Sequence, residues 1–189
     1  MFAKSERFFN PAVKLRGINL IKFFHSFLTE INLKKEPEIK SRISEGWKAY
    51  QEARKLYYAK DKTVHKDQEA LLLFDLTIEC GFNDAYADRA FCLQGFNFHF
   101  EAIEDFNQAI LKSANYAHLY YARGYSKSVV LDYDGSISDL IIAVELSKEK
   151  NKLNKQYDNE ISKQGYNSVT QFYQDALQEV LVLATLLIQ

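Results

Sequence analysis

An internal repeat of 34 residues is the feature of this sequence that most constrains its fold. Residues 85–91 align with residues 119–125 at this offset, and residues 102–110 align with residues 136–144 at the same offset. The matched pairs are Tyr86 with Tyr120, Arg89 with Arg123, Ile103 with Ile137, Asp105 with Asp139, and Ala109 with Ala143. Two separate segments that share one offset predict a stack of similar units in which each unit contacts only its neighbours.

Each 34-residue unit carries two helical patterns. Apolar and small residues recur every three to four positions over 85–95 and over 99–111, which predicts two helices that each bury one face. Asn97 and Asp132 stand between the two helices of their units and are good N-cap residues. Small residues that allow antiparallel helices to approach closely occupy matching positions, namely Ala90, Ala102 and Ala109 in one unit and Gly124, Ser136 and Ala143 in the next.

The pattern resembles the tetratricopeptide repeat (TPR), a 34-residue helix–turn–helix unit. Residues 83–116 and 117–150 each match one repeat. They depart from the family where its usual proline after the second helix is replaced by Ala114 and Lys148. The glycine of the turn between helices is also absent, and Asn97 and Leu131 stand there. The resemblance implies an all-α fold of antiparallel helix hairpins stacked as a short right-handed TPR-like solenoid.

Outside the two matching repeats the pattern is weaker. We predict an N-terminal amphipathic helix region over residues 1–42, with its helix over 11–32, and an irregular first hairpin over 43–82 that contains an insertion at 61–67. Residues 151–189 are predicted to form a degenerate C-terminal capping hairpin, because terminal repeats are usually atypical. The predicted helices of the array cover 44–60, 68–80, 84–95, 99–112, 118–130 and 134–147.

Composition excludes several other classes of protein. The chain has 189 residues with 7 glycines and 2 prolines, fewer than the many turns of an all-β domain need. Its net charge of −1 excludes a strongly basic nucleic-acid binder. The apolar stretch 180–188 is much shorter than the ~20 residues that span a membrane. Two cysteines make no disulfide framework, which predicts a cytoplasmic protein in a reducing compartment.

No catalytic or cofactor motif is visible in the sequence. The four histidines lack the paired spacings of zinc sites, and neither GxGxxG nor GxxxxGK occurs. Cys80 and Cys92 have no histidine and acid arranged near them in sequence, so we interpret both as inert thiols. We therefore expect no enzyme activity, no metal and no cofactor.

Arg89 and Arg123 recur with Asp105 and Asp139, each acid sixteen residues after its arginine. One interpretation is a pair of anion-binding arginines on the ligand face. The favoured interpretation is an ion pair between the two helices of each hairpin, because each arginine precedes the small packing position and points away from the groove. The spacing therefore predicts the pairs Arg89–Asp105 and Arg123–Asp139.

The TPR resemblance implies that the first helices of the hairpins line a concave face that holds a peptide or protein segment. The positions that match this face are Asp84, Ala87, Asp88, Phe91 and Gln94 in one repeat and His118, Tyr121, Ala122, Tyr125 and Ser128 in the next. All of them except Ala122 are candidate ligand-binding residues, and the three large aromatic residues form a candidate platform. The alternative is that the C-terminal unit or the N-terminal helix covers these rings as ordinary core.

Charge indicates the kind of ligand. Residues 83–147 carry a balance of −5, which favours a neutral or basic partner. One subclass of the family grips a C-terminal carboxylate with Lys, Asn and Arg. Here Asp88, His118 and Ala122 stand at the corresponding positions, and an aspartate repels a carboxylate.

Two other functions compete with peptide binding. The first is a structural or oligomerisation role, including a chaperone-like one, in which the N- and C-terminal apolar helices bury each other between two chains of a homodimer. The second is a membrane-surface helix in residues 1–35, whose charge balance is +5. We favour it least, because Glu6 and Glu30 weaken it.

Overall fold

The structure is a computed structural model that describes residues 20–149 and 152–186, and these residues form eight α-helices with no strand among them. The helices are α1 (Leu20–Tyr57), α2 (Val64–Glu79), α3 (Ala85–Gly95), α4 (His99–Lys112), α5 (Ala117–Val129), α6 (Tyr133–Ser147), α7 (Lys152–Ile161) and α8 (Val169–Leu186). A short 3₁₀ turn over Ser162–Gln164 links the last two. The all-α prediction is confirmed.

Helix α1 is longer than the sequence pattern indicated. The predicted helices over 11–32 and 44–60 are parts of one helix in the structure, and residues 11–19 lie outside the described residues. The chain divides into two compact units, Met1–Arg42 and Ile43–Gln189, and α1 crosses the boundary between them. The hairpins described below belong to the second unit.

Helices α3 to α6 form the two hairpins that the repeat predicts, and α3 packs on α2 as α5 packs on α4. Phe106 is fully buried between the helices with Ala90 and Ala102. Gly124 shows why small residues are needed where two helices approach closely. A Cβ added at Gly124 would lie 3.2 Å from both the side chain of Leu140 and the carbonyl oxygen of Ser136. Small side chains at these positions therefore set the spacing between the helices of a hairpin.

The turns inside the two hairpins share one backbone geometry. Asn97 and Leu131, which are 34 residues apart, both adopt left-handed backbone angles, with φ of 62° and 67°. The amide that follows each of them donates a hydrogen bond to a carbonyl of the preceding helix. Phe98 N donates to Leu93 O at 3.0 Å, and Asp132 N donates to Lys127 O at 2.9 Å. These are Schellman helix ends, in which glycine is the usual left-handed residue. Asn97 and Leu131 thus occupy the left-handed position that glycine usually takes.

The left-handed backbone conformation of Leu131 should be strained. A leucine in the left-handed region costs about 1–2 kcal/mol, whereas glycine adopts it freely. Its side chain is 69% exposed, so little packing is lost on truncation. We expect Leu131→Gly to raise the free energy of unfolding by about 0.5–1 kcal/mol in urea titration. Asn97→Gly should change it less, because asparagine tolerates this conformation. A loss of stability in Leu131→Gly would mean that the leucine side chain packs on the fold.

The C-terminal helices depart from the expected arrangement. Helix α8, and not α7, packs along α6. The hydroxyl of Ser147 at the end of α6 donates to that of Thr170 at the start of α8 at 2.9 Å, so the two helices run antiparallel. Helix α8 therefore lies where the first helix of a further repeat would lie. Asn154 of α7 caps the end of α6, donating to the carbonyl oxygens of Leu146 and Glu149 at 2.9 and 2.8 Å.

Two findings bear on other classes of protein. None of the helices in the described part of the chain has the length and apolar character needed to cross a membrane. Within the same residues, no three His, Cys, Asp or Glu side chains come together in a group that could hold a metal ion.

Candidate peptide-binding face

The two repeated arginines, Arg89 and Arg123, form ion pairs within the fold. Arg89 donates through Nε and Nη2 to Asp105, with both distances 2.7 Å. Arg123 makes the same bidentate contact with Asp139 through Nε and Nη2, at 2.8 and 2.6 Å. Both predicted pairs are confirmed, and hydrogen bonds to the carboxylate of Asp105 raise the pKa of Arg89. Neither guanidinium is available as a ligand-binding group on the concave face.

A third contact extends each pair to the preceding hairpin. Nη1 of Arg89 donates to Asp75 of α2 at 2.7 Å, and Nη1 of Arg123 donates to Asn107 of α4 at 2.7 Å. Each arginine therefore ties the second helix of its own hairpin to the second helix of the preceding one. A planar bidentate contact fixes the relative position of the two helices that it joins. These contacts therefore set the register of neighbouring repeats.

Asp88, predicted to lie on the concave face, already has partners within the chain. It is buried and accepts hydrogen bonds from the hydroxyls of Tyr50 on α1 at 2.9 Å and of Tyr58, directly after α1, at 2.8 Å. Nε of Arg54 lies 3.4 Å away. Burial and the nearby Asp88 carboxylate raise the pKa of Tyr50 to about 12. Asp88 thus fixes α1 on α3, and its charge is largely satisfied.

The α1 side of this face was only partly indicated by the sequence. Tyr50, Arg54 and Tyr58 are spaced by four residues, which places them on one side of a helix. The guanidinium of Arg54 lies 5.6 Å from the Tyr50 ring centre and 5.4 Å from that of Tyr58. The side chains of Arg54 and Tyr58 are both about half exposed. The pattern alone could not show that both tyrosines bond one aspartate 30 or more residues away.

Most of the predicted face residues on α3 contact neighbouring helices rather than solvent. The ring of Phe91 meets Phe106 edge-on at 5.1 Å and stacks on His118 at 5.2 Å. The Gln94 amide donates to the carbonyl oxygen of Ala122 and to the hydroxyl of Ser126, both at 2.7 Å. Ala87 is half-buried beside the same core, and Asp84 is exposed and paired with Lys112. The open surface on α3 is therefore small.

His118 and Tyr121 on α5 lie against the C-terminal helices. The His118 ring stacks on Tyr157 of α7 at 4.5 Å, and its Nδ1 lies 3.3 Å from the hydroxyl of Tyr173. The Tyr121 ring packs on Phe172 at 5.0 Å and on Tyr173 at 4.9 Å, both on α8. Burial lowers the pKa of His118 to about 4 and raises that of Tyr121 to about 12. The C-terminal helices thus cover this part of the face.

Tyr125 is the large aromatic residue of the predicted set that stays open. Its side chain is 49% exposed, and its ring meets His99 edge-on at 5.8 Å. The hydroxyl of Ser128 donates to the Tyr125 carbonyl oxygen at 2.8 Å, which closes the last turn of α5. The nine predicted positions therefore divide into a covered part at His118 and Tyr121 and an open part at Tyr125.

Comparison with known proteins defines the class of this fold. Neither a family model nor a curated protein matches the sequence. Among solved structures, the Arabidopsis OM64 TPR domain is similar to this chain with a TM-score of 0.50 and 18% identity. The match covers 65% of this chain and 98% of that domain.

The chain is an all-α helical-repeat protein. Its fold is TPR-like, as the 34-residue repeat in the sequence predicted. Repeat arrays of this kind present extended concave surfaces.

Proposed function

We propose that this chain is a non-enzymatic interaction module that binds a peptide or protein segment on the concave face of the array. The observation that carries the proposal is the half-exposed ring of Tyr125 on a first helix of a TPR-like array. A large flat side chain held at the surface by a rigid helix loses little entropy on binding and buries much area.

Within this face the nine positions would have different roles. Tyr125, Asp84 and the accessible edge of Gln94 would contact the ligand, while Phe91, Asp88 and Ala87 would form the floor beneath it. His118, Tyr121 and Ser128 would support the C-terminal end. The charge balance of −5 over residues 83–147 favours a neutral or basic segment, although Asp88, Asp105 and Asp139 already have cationic or hydroxyl partners.

The test of this proposal is replacement of Tyr125. A single ring in a binding hot spot contributes roughly 1.5–3 kcal/mol, so Tyr125→Ala should weaken partner capture about tenfold or more. Capture from native lysate by immobilised chain, quantified protein by protein, gives the readout. Leu111→Ala is the matched control, because Leu111 is 81% exposed on the second helix α4. If captured proteins are equally abundant with wild type, Tyr125→Ala and Leu111→Ala, Tyr125 binds no partner.

Tyr121, the other large aromatic residue that the sequence places on α5, is less suitable for this test. Its ring packs on Phe172 and Tyr173, so Tyr121→Ala removes core contacts between α5 and α8 as well as any ligand contact. Tyr125 alone separates binding from stability.

A second candidate function is self-association. The end of α8 leaves four apolar side chains at the surface, namely Leu181, Val182, Leu183 and Leu186. Light scattering on the samples used for capture separates the candidates, because self-association requires a dimer.

The proposal also includes a reducing compartment such as the cytoplasm. Cys80 and Cys92 are both free thiols. Burial raises the pKa of Cys92 to about 11, so at neutral pH its sulfur stays protonated and weakly nucleophilic. The state of Cys92 supports a structural thiol and a non-catalytic chain.

A further inference from the structure

We propose that α7 is a releasable cover over the His118 part of the concave face, and that its closure depends on His118 being neutral. The proposal rests on the proposed function in one respect, because the surface that α7 covers belongs to the face assigned to ligand binding. Whether α7 opens is a separate question, which can be answered without a ligand.

The position of α7 distinguishes it from the helices of the stack. It stands between α6 and α8 in sequence, yet α8 occupies the place of the next repeat helix beside α6. Removal of α7 from its site would therefore leave the stack from α3 to α6, with α8, in contact. In a repeat array each element is stabilised by its nearest neighbours, so a helix outside the stack can open locally.

Few contacts hold α7 against α5. The ring of Tyr157 stacks on His118 at 4.5 Å, and its hydroxyl lies 2.7 Å from that of Tyr116. Ile161 at the end of α7 is buried beside Ala117 and Tyr173. Short helices are marginal without tertiary packing, and α7 has only ten residues. Besides Tyr157 and Ile161, two polar contacts hold α7 in place. Asn154 donates to carbonyl oxygens at the end of α6, and Oδ1 of Asp158 accepts from the Val169 amide at 2.7 Å.

Opening of α7 would extend the aromatic surface of the face. With Tyr157 in place, the rings of Phe91, His118 and Tyr157 form one stack that runs from α3 through α5 to α7. Without Tyr157 the outer side of the His118 ring is bare, next to Tyr121. An exposed aromatic surface of this kind is what a ligand side chain would bury.

His118 couples this opening to pH. The groups that face its ring are uncharged aromatic side chains, namely Phe91 of α3, Tyr116 directly before α5, Tyr121 of α5, Tyr157 of α7 and Tyr173 of α8. Three carboxylates, Asp158 and Glu160 of α7 and Glu179 of α8, act on the tyrosine hydroxyls around it. Burial is the cause that lowers the pKa of His118, to about 4.

The sign of the coupling follows from these pKa values. In the open state water reaches the His118 ring, so its pKa rises toward the ordinary value of about 6.5. A covered histidine with a lower pKa stabilises the closed state fully above pH 6.5, and this stabilisation is lost as the pH falls toward 4. Between pH 7.5 and pH 5 the open population of α7 should rise by up to roughly 30-fold, the value for complete exposure of the ring.

Hydrogen exchange of the full chain, followed by mass spectrometry at pH 7.5 and pH 5.0 with correction for intrinsic rates, tests the proposal. We expect the amides of residues 154–161 to exchange by an opening that leaves α5 and α6 protected, and to open up to about 30-fold more at pH 5.0. His118→Phe keeps the stacking ring and should abolish the pH effect. Tyr157→Ala should open α7 at both pH values, whereas Tyr157→Phe, which loses only the hydroxyl contact with Tyr116, should open it much less.

Two results would overturn the cover. In the first, residues 154–161 exchange only together with α5 and α6, which makes α7 a fixed part of the core. In the second, His118→Phe shows the same rise at pH 5.0 as wild type, which removes His118 from the coupling. Neither result depends on partner capture, so loss of the binding face in the Tyr125 experiment leaves the cover intact, and the reverse also holds.

Discussion

Replacement of Asp139 by alanine is expected to lower the free energy of unfolding by about 3–5 kcal/mol, because it leaves buried cations without their acceptor. The Asp139 side chain is 3% exposed and receives Arg123 in two contacts and Nζ of Lys127 at 2.9 Å. Both cations are themselves mostly buried, so water can replace the lost carboxylate only in part. Urea unfolding followed by circular dichroism gives the free energy, and the denaturant slope should stay unchanged.

Asp84→Ala is the matched control for this experiment. Asp84 also pairs with a cation, Lys112, but both side chains are more than half exposed. Exposed ion pairs contribute about 0–1 kcal/mol, so this variant should unfold nearly as wild type does. If Asp139→Ala and Asp84→Ala lose the same small amount, the Arg123 pair lies in water and does not set the register of the repeats.

The repeat offset made the Arg123–Asp139 pair predictable from the amino-acid sequence. A hairpin fixes which residues of its two helices face each other, so the sixteen-residue separation of Arg123 and Asp139 already implied contact. The turns behave in the same way, since the common offset of Asn97 and Leu131 corresponds to a common left-handed geometry. Features that lie within one repeat are local, and local spacing is what a sequence displays directly.

The arrangement at the two ends of the array was not predictable in this way. Periodicity shows that α8 has an apolar stripe, but it does not show which helix buries that stripe. The sequence placed α7 and α8 as one further hairpin, whereas in the structure α8 packs along α6. The interruption that the pattern suggested between residues 32 and 44 is also absent from the described part of α1, which runs through it.

The candidate site shows the same limit. Its nine positions came from the repeat register, which gives the helix face of a residue but not its long-range partners. The register alone leaves Asp88 free to act on a ligand, whereas in the structure Tyr50 of α1 and Tyr58, directly after α1, donate to it. The cover of His118 by Tyr157 likewise depends on how the chain returns after α6, and no spacing within the repeats encodes that path.

Phe106→Ala is expected to lower the free energy of unfolding by about 3–5 kcal/mol, the usual loss when a buried aromatic ring is removed. Phe106 is fully buried, and its ring meets that of Phe91 edge-on at 5.1 Å. Ala90 and Ala102 border the ring, and alanine side chains are too short to fill the space that it leaves. Relaxation of Phe91 into the cavity would reduce the loss only in part and would draw that ring away from His118.

Phe100→Ala provides the comparison on the same helix, because Phe100 is 70% exposed on α4. A surface substitution of this kind changes stability by about 0.5 kcal/mol at most. In urea titration, the unfolding midpoint of Phe106→Ala should therefore lie well below that of wild type, whereas the midpoint of Phe100→Ala should hardly change. Equal midpoints would show that Phe106 does not lie between the helices, and with it the stacking of α3 and α4 in the TPR register would be wrong. Because each repeat is stabilised by its neighbours, the loss at Phe106 should also raise hydrogen exchange in α5, which packs on the damaged hairpin.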